Sequence, residues 1–357
     1  MRMDDFDYEL PLERIAQWPA DQRDASRLLV VDRAAGSCTD SRFDEIGVRL
    51  RPDDLLVVNE TEVFPARLRA RRASGAEVEI LLVRPRDGLD PESAEGREWD
   101  AMAGPGRKAK PGDALVLLDR SGAPAPDATV EILDRLPTGG RRVRLDVPGD
   151  PWDWIAAHGH VPLPPYIGRP DEPLDRERYQ TVYARRRGAI AAPTAGLHFT
   201  PELLDRLSRN GVRRAAVTLH VGPGTFRPVT AERAEDHRVE AEWYRIGREA
   251  AAALADARAR GGRVVAVGTT VVRALESAAR GWKGGPAPAE GWTELFVRPG
   301  HEFRWVDVLL TNFHLPRSTL LLLVSAFAGR DLVLEAYRHA VRSGYRFYSY
   351  GDAMLIV

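Results

Sequence analysis

The pattern of hydrophobic and polar positions changes twice along the chain. Continuous apolar runs at residues 28–31 and 55–58 are typical of buried strands, and a short helix is predicted between them at residues 43–50. From residue 64 onward, short runs rich in β-formers alternate with turns that contain Gly or Pro, and no helical period interrupts them. The six predicted strands are residues 64–70, 76–83, 98–103, 114–118, 128–133 and 141–147. Their spacing predicts a small antiparallel domain that is similar to a β-barrel.

After residue 147 the pattern becomes one of alternating helices and strands. Asp150 and Thr200 each precede a proline, a combination that marks the start of a helix. The predicted helices are residues 151–158, 201–210, 248–260, 271–279, 318–328 and 331–343, and the predicted strands are residues 212–221, 263–267, 292–297, 345–350 and 353–357. This alternation predicts an α/β fold, a mixed sheet covered by helices. Because the strands before residue 61 are too few to form a domain alone, residues 1–61 and 148–357 are expected to fold together, with residues 62–147 as an inserted all-β domain.

Charge and composition exclude some classes of protein. The 357 residues include 52 acidic and 51 basic side chains, which argues against a globally basic nucleic-acid coat protein but allows a local basic face. Cys38 is the single cysteine, so no internal disulfide can form, as is typical of a reducing cytosol. The acidic N-terminus does not resemble a signal peptide, and the apolar run at residues 320–328 is too short to cross a membrane. We expect a soluble, cytoplasmic, monomeric protein without membrane contact.

The clearest ligand-binding pattern is a strand that runs through Gly268, Thr269 and Thr270 into a helix. Such a junction places free backbone N–H groups at the carboxyl end of a strand, where α/β proteins bind phosphate or carboxylate groups. The alternative is that Thr269 or Thr270 only caps the helix. The glycine spacing fits neither a dinucleotide-binding fingerprint nor a phosphate-binding P-loop.

Three histidines lie in loops at the ends of predicted elements, where catalytic groups are often found. They are His198 before one helix, His220 at the end of a strand, and His314 before another helix. Because the unperturbed pKa of histidine lies near physiological pH, each could act as a general acid or base. A structural role is the alternative for each one taken singly, whereas three similar contexts favour a shared cleft. No spacing matches a zinc-binding helix motif, so a metal site is not expected.

Two kinds of charged motif add candidates. Residues 235–237, Glu-Asp-His, could position a base or bind the donor edge of a guanine-like ring, or could be a solvated charged patch. Arginines alternate at positions 67, 69 and 71, which places them on one face of a strand, and a second basic cluster follows at residues 107–110. Such a face could follow a nucleic-acid backbone, although a solvated strand face is equally compatible with the sequence.

Motifs along the whole chain resemble those of the S-adenosylmethionine:tRNA ribosyltransferase-isomerase family of queuosine biosynthesis. The matching blocks are residues 6–11, 24–29, 65–68, 162–167, 179–184, 192–199, 219–226, 267–273, 311–328 and 345–354. Two departures stand out. The family usually has Asn-Thr-Arg after Asn59, where this chain has Glu60, Thr61 and Glu62, and many relatives have a second histidine where this chain has Glu240.

The resemblance implies a reaction and a set of site residues. The family transfers the ribosyl group of S-adenosylmethionine to 7-aminomethyl-7-deazaguanine at the tRNA wobble position and isomerises it, giving epoxyqueuosine, adenine and methionine. S-adenosylmethionine is then a co-substrate, and no prosthetic group or metal is implied. The implied catalytic residues are His198, Asp236, His237 and His314. The implied S-adenosylmethionine site is Gly268, Thr269, Thr270, Asn312 and Phe313. The implied substrate contacts are Asn59, Arg67, Thr194, His220, Thr225 and Glu235, and the implied tRNA contacts are Arg69, Arg71, Arg107, Lys108 and Lys110.

Two other functions stay open at this point. An S-adenosylmethionine-dependent RNA methyltransferase would need a glycine-rich turn after its first strand and an acidic residue at the end of the second, and the chain has no such pair in order. A non-catalytic RNA-binding protein would account for the basic β domain but would leave the histidine loops without a role. Release of free adenine from S-adenosylmethionine separates all three functions.

Overall fold

The computed structural model describes residues 1–88, 90–91, 93–226 and 229–357, without the side chains of residues 225 and 226. Most of the predicted α/β part forms one mixed sheet of nine strands. From edge to edge these are β15 (Ala289–Thr293), β13 (Glu242–Ile246), β12 (Arg213–Leu219), β3 (Leu55–Asn59), β14 (Val264–Val267), β16 (Val308–Asn312), β17 (Ala353–Ile356), β1 (Arg27–Asp32) and β2 (Ser37–Arg42).

Four central strands of this sheet, β12, β3, β14 and β16, run parallel to one another. Their carboxyl ends therefore meet at one edge of the sheet. The strands are buried on both faces, which explains their continuous apolar sequences. In β3, Leu55 and Val57 pack into one hydrophobic cluster and Leu56 and Val58 into another, because successive side chains of a strand point to opposite faces.

Helices cover both faces of this sheet. The seven helices of the described part are α1 (Pro151–His158), α2 (Pro173–Arg178), α3 (Pro201–Arg209), α4 (Arg248–Ala259), α5 (Thr269–Ala279), α6 (Thr319–Ala328) and α7 (Arg330–Arg342). Helices α4 to α7 pack on one face, and α3 packs on the other with the short 3-10 helix Phe43–Val48. The predicted helix starts are confirmed, since the Asp150 side chain accepts from the Trp152 N–H (2.8 Å) and Thr200 Oγ1 accepts from the Leu203 N–H (3.1 Å).

A separate antiparallel sheet contains the strands predicted between residues 64 and 147. Its hydrogen-bonded order is β10-β7-β6-β5-β8-β9, and β10 also pairs with β9, so the order closes on itself. The strands are β5 (Arg67–Arg71), β6 (Glu77–Pro85), β7 (Glu98–Gly104), β8 (Ala114–Leu118), β9 (Pro124–Arg135) and β10 (Arg141–Asp146). Two short strands, β4 (Thr61–Val63) and β11 (Arg186–Ala189), pair with each other in parallel. Along the chain, β4 precedes the six strands of the antiparallel sheet and β11 follows them.

Two predicted strands differ from the structure. The strand predicted at residues 292–297 is placed too late, because β15 ends at Thr293, and the strand predicted at residues 345–350 is wrong for a reason visible in the backbone. Residues 345–350 form irregular backbone that ends in a turn. The Phe347 N–H donates to the Arg14 carbonyl (2.7 Å), Phe347 forms only an isolated bridge with Ile15, and Tyr348 has a φ of 72°. The alternating burial of Tyr345 and Phe347 is real, but it comes from packing against other aromatic rings and not from a strand ladder. Among the described residues, every helix is too short or too polar to span a lipid bilayer.

Candidate active site

Asn59 ties together the carboxyl ends of three parallel strands. Its Nδ2 donates to the Leu219 carbonyl (2.9 Å) and to Thr270 Oγ1 (3.2 Å), while its Oδ1 accepts from the N–H groups of Thr61 (3.2 Å) and Leu219 (3.0 Å). These four bonds use both amide hydrogens and both lone pairs of the oxygen. Asn59 therefore holds the strand ends in register, and a direct substrate contact would require one of these bonds to break.

The N-terminus of α5 is open at this edge of the sheet. Gly268 precedes the helix with a φ of 92°, a left-handed conformation that glycine tolerates best, and donates its N–H to the Leu310 carbonyl (2.8 Å). No side chain of the described residues caps the helix, and the Thr270 hydroxyl is taken by Asn59. The alternative in which Thr269 or Thr270 caps the helix is therefore not found. The first N–H groups and the positive end of the helix dipole remain available to an anion.

A small cavity lies directly at these strand ends, and we call it the strand-end cavity. It brings together residues predicted from three separate motifs, which are Thr194, Gly268, Thr269, Thr270, Asn312, Phe313 and His314. Its volume is about 50 Å³. Ligand pockets usually measure roughly 300–1,000 Å³, so a nucleoside needs space beyond this cavity.

His198 lies behind the strand-end cavity and does not line it. Its Nδ1 is 2.7 Å from Ser26 Oγ, and its Nε2 is 3.3 Å from Nδ2 of Asn312. On the other side, Thr194 donates its hydroxyl to Oδ1 of Asn312 (2.8 Å). His198 is therefore in contact with Asn312, and the direct catalytic role that the sequence suggested for it stays a prediction.

Burial changes the acid–base chemistry of the three loop histidines. It lowers the pKa of His198, His220 and His314 to about 3 each, because a buried imidazolium loses its hydration. All three are neutral at physiological pH, contrary to the expectation drawn from the unperturbed pKa of histidine. His314 lines the strand-end cavity with Nε2 held 2.9 Å from Thr311 Oγ1, so it can serve there as a neutral hydrogen-bonding group.

A larger cavity of about 340 Å³ lies between the two sheets, and we call it the inter-sheet cavity. Its walls come from the ends of β12, β13 and β15 on one side and from β6, β7 and the turn after β9 on the other. Four carboxylates and one guanidinium line it, which are Asp100, Glu240, Glu242, Glu294 and Arg84. Glu242 is buried in an ion pair with Arg273, and it also accepts from the Gly222 N–H (2.9 Å). Val221 lines both cavities, so the two are neighbours.

His220 presents an unsatisfied nitrogen at the inter-sheet cavity. Its Nδ1 is 2.7 Å from Thr61 Oγ1, and its ring stacks on Trp243. Nε2 is buried and has no hydrogen-bond partner in the described part of the chain. A buried polar atom without a partner is costly, which makes this nitrogen a candidate contact for a ligand.

The Glu235-Asp236-His237 motif is not brought into either cavity. The Glu235 carboxylate accepts from the N-terminal amino group of Met1 (2.9 Å), and neither Glu235 nor Asp236 lines the strand-end or inter-sheet cavity. His237 packs edge-on against Phe296 with ring centroids 5.7 Å apart. Partial burial lowers the pKa of His237 as well. Thr225, predicted in the neighbouring turn, has a side chain outside the described residues.

The basic face of β5 is largely offset by carboxylates of β6. Glu77 pairs with Arg69 (2.9 Å) and with Arg71 (3.1 Å), and Glu79 pairs with Arg67 (3.4 Å). In the register, Arg71 lies directly opposite Glu77, whereas the Arg69–Glu77 and Arg67–Glu79 pairs join diagonal neighbours. Arg67 also lies outside the linings of both cavities.

The second basic cluster keeps its charge. Arg107 and Lys108 belong to a 3-10 turn, and Lys110 follows it. Within the described ranges, none of the three takes part in an ion pair, and Arg107 and Lys110 are exposed. This turn is therefore a stronger source of positive potential than the β5 face.

Trp243, Trp292 and Arg84 of the inter-sheet cavity are absent from the sequence-based candidates. Each sits in a strand with an ordinary pattern, so no local signal marks it. Only the approach of the two sheets brings these residues together. Gly222 and Pro223, in the turn that follows His220, also line this cavity, and that turn is the one sequence signal that points to it.

Comparison with known proteins gives matches over the full length. The family model described as "Queuosine biosynthesis protein" matches residues 3–356. A protein of Pelobacter propionicus named S-adenosylmethionine:tRNA ribosyltransferase-isomerase is 49% identical over 357 residues, covering 100% of both chains. One of the same name from Anaeromyxobacter sp. is 52% identical over 358 residues, covering 100% of this chain and 99% of the relative. The crystal structure of an S-adenosylmethionine tRNA ribosyltransferase from Thermotoga maritima is similar with a TM-score of 0.55 and 40% identity, covering 99% of this chain and 100% of the other.

Proposed function

Since the chain belongs to the queuosine biosynthesis protein family, and its relatives are named S-adenosylmethionine:tRNA ribosyltransferase-isomerases, we propose that it performs the complete reaction implied by that name. It moves the ribosyl group of S-adenosylmethionine onto 7-aminomethyl-7-deazaguanine at the tRNA wobble position. The group rearranges to an epoxycyclopentanediol, and adenine and methionine leave. The observation that carries this proposal is the open N-terminus of α5 at the ends of four parallel strands, next to an acidic cavity.

The strand-end cavity suits the methionine part of S-adenosylmethionine. A carboxylate can accept hydrogen bonds from the uncapped N–H groups of Thr269 and Thr270 and gains from the helix dipole. His314 offers a neutral polar contact on the same wall. Because the cavity of about 50 Å³ holds only this part, the ribose and adenine would extend past Val221 toward the inter-sheet cavity.

The inter-sheet cavity suits the modified base. The aminomethyl group is a primary amine and is largely cationic at neutral pH, as lysine is. The carboxylates of Glu240 and Glu294 would attract it, and a carboxylate can also accept from the donor edge of a guanine-like ring. The same charges repel phosphate, so a single base flipped out of the anticodon loop fits better than a stretch of backbone.

Proton transfer needs a group that titrates closer to neutrality than the three buried histidines. The reaction requires removal of a C5′ proton that the adjacent sulfonium acidifies, and delivery of a proton to the departing adenine. Of the four proposed catalytic residues, His198 acts through Asn312 and His314 binds as a neutral imidazole. We assign proton transfer to His237, supported by Asp236, on the family motif and because His237 is only partly buried. Since neither residue lines the strand-end or the inter-sheet cavity, this assignment requires the bound substrates to extend past both cavities toward Phe296, against which His237 packs.

The six-stranded sheet is proposed to contact the tRNA as an inserted domain of residues 62–147. The unpaired cluster of Arg107, Lys108 and Lys110 would supply most of the phosphate contacts, and Arg69 and Arg71 a smaller share because Glu77 neutralises them in part. The monomeric state and the cytoplasmic location stay predictions.

Product analysis tests the reaction. The protein is incubated with S-adenosylmethionine and tRNA bearing the aminomethyl base, and the expected products are free adenine, free methionine and epoxyqueuosine-tRNA. Release of S-adenosylhomocysteine would indicate a methyltransferase, and tRNA binding without any small product would indicate a binding protein. In single-turnover assays, His237→Gln should slow adenine release more than tenfold, about 1.4 kcal/mol of barrier. His339→Gln, at the far surface beside Asp40, is the matched control.

A further inference from the structure

Three aromatic rings from neighbouring strands form one wall of the inter-sheet cavity, and we call them the aromatic ladder. His220, which follows β12, stacks on Trp243 of β13 with ring centroids 5.3 Å apart and planes inclined by 16°. Trp292 of β15 is the register partner of Trp243. Directly opposed residues of an antiparallel pair project to the same face. The ladder therefore runs from buried His220, 6% exposed, to Trp292 at the mouth, 44% exposed.

The exposed end of the ladder carries a second flat group. The guanidinium carbon of Arg84, from β6 of the other sheet, lies 4.4 Å from the ring centroid of Trp292. Nε of Arg84 also lies 4.0 Å from the Asp100 carboxylate, which is the limit for an ion pair. An exposed tryptophan beneath an arginine is a surface on which a nucleobase can stack, because both groups offer flat faces that tolerate any base.

We propose that the Trp292–Arg84 pair holds the unpaired base next to the wobble base of the bound tRNA. The inference rests on the proposed function, since a flipped wobble base in the acidic cavity leaves its neighbour in the strand at the mouth. Of the lining carboxylates, Glu242 is buried and Asp100 and Glu240 are half-buried, whereas Glu294 is exposed, as is Trp292 at the mouth. This arrangement separates recognition of the modified base from stacking that is indifferent to base identity.

The test uses an anticodon stem-loop RNA that carries the aminomethyl base. Matched RNAs have an abasic nucleotide on the 5′ or the 3′ side of the wobble position, and dissociation constants are measured by fluorescence anisotropy. The protein variants are Trp292→Ala, Trp292→Phe and Trp18→Ala. Trp18 is the matched control, because it is 47% exposed and lies under Arg169 at 3.7 Å but lines neither cavity.

We expect Trp292→Ala to weaken binding of the intact loop about tenfold, in line with the stacking free energy of one base. One of the abasic RNAs should bind the wild-type protein about tenfold more weakly, and Trp292→Ala should then cause no further loss with that RNA. Trp292→Phe should retain most of the affinity, and Trp18→Ala should retain all of it.

Two results would overturn the proposal. One is that Trp292→Ala binds the intact loop with unchanged affinity. If the substitution then changes only the sedimentation coefficient, Trp292 belongs to a contact between copies of this chain, and the proposal is equally overturned. The other is that Trp292→Ala weakens binding of each abasic RNA by the same factor as it weakens binding of the intact loop. Failure of the proposed function is distinguishable, because it would appear as absence of adenine release by the wild-type protein, whatever the stacking measurements show.

Discussion

Three buried neutral histidines make the stability of this protein depend steeply on pH. The pKa values of His198, His220 and His314 are lowered to about 3 in the folded chain, whereas in the unfolded chain an imidazole has a pKa of about 6.5. Well above pH 6.5 both states are neutral and the full stability is present. As the pH falls from 6.5 toward 3, the unfolded state binds protons that the folded state cannot, so stability is lost.

The size of the loss follows from the number of groups. One pH unit below the unfolded pKa, each histidine favours unfolding by about 1.4 kcal/mol, so the three together cost about 4 kcal/mol at pH 5.5 relative to pH 7.5. This is a large share of the roughly 5–15 kcal/mol that stabilises a typical domain. Most carboxylates titrate below this window, so the histidines dominate the change between pH 7.5 and 5.5.

Urea unfolding followed by tryptophan fluorescence at pH 7.5, 6.5 and 5.5 measures the effect. Glutamine keeps a polar side chain but does not titrate, so each of His198→Gln, His220→Gln and His314→Gln should remove about one third of the pH-dependent loss. Each variant is compared with itself across pH, so any change in packing cancels. If all three variants lose the same stability as the wild-type chain, the buried histidines are not the cause and the reasoning fails.

Three further predictions concern function. Combining Arg107→Ala with Lys110→Ala should lower the slope of log affinity for tRNA against log salt by about 1.5, whereas Arg69→Ala should change it by less than half a unit; equal slopes for both proteins would contradict the assignment. Glu240→Gln should reduce discrimination between tRNA carrying the aminomethyl base and tRNA carrying guanine about fivefold in binding assays, and an unchanged ratio would exclude Glu240 from recognition. The single-turnover rate of adenine release should fall at acidic pH as His237 is protonated, and this dependence should disappear in His237→Gln.

The sequence predicts those parts of the structure that depend on local signals. Thr200 and the proline after it, for example, give the cap and the start of α3, and the glycine at position 268 marks the junction of β14 with α5. The residues of the strand-end cavity could be predicted from the sequence for the same reason. Its residues stand in motifs that each follow a strand, and parallel strands bring such ends together without further information.

The remaining features depend on contacts between distant segments. Arg69 looks like a free cation in its own strand, and only the pairing of β5 with β6 brings Glu77 close enough to form an ion pair with it. His314 looks like a group that titrates near pH 7, and only its burial shows that it is neutral. The inter-sheet cavity could be predicted only as far as the turn after His220, which lines it, since the cavity exists only where β6 and β7 approach β13 and β15.

Glu60 shows how a departure from the pattern usual in the family becomes interpretable with the structure. It stands where relatives have asparagine, and it is buried, 4% exposed, in ion pairs with Arg185 and with Arg186 (3.0 Å). A buried carboxylate survives only when paired, so Glu60 and these arginines form one unit. The arginine usual in the family at position 62 is replaced by glutamate, and Arg187 on β11 is the register partner of Glu62. A cation is thus present on the adjacent strand, where the Arg187 guanidinium stacks over the Trp152 ring at 4.1 Å.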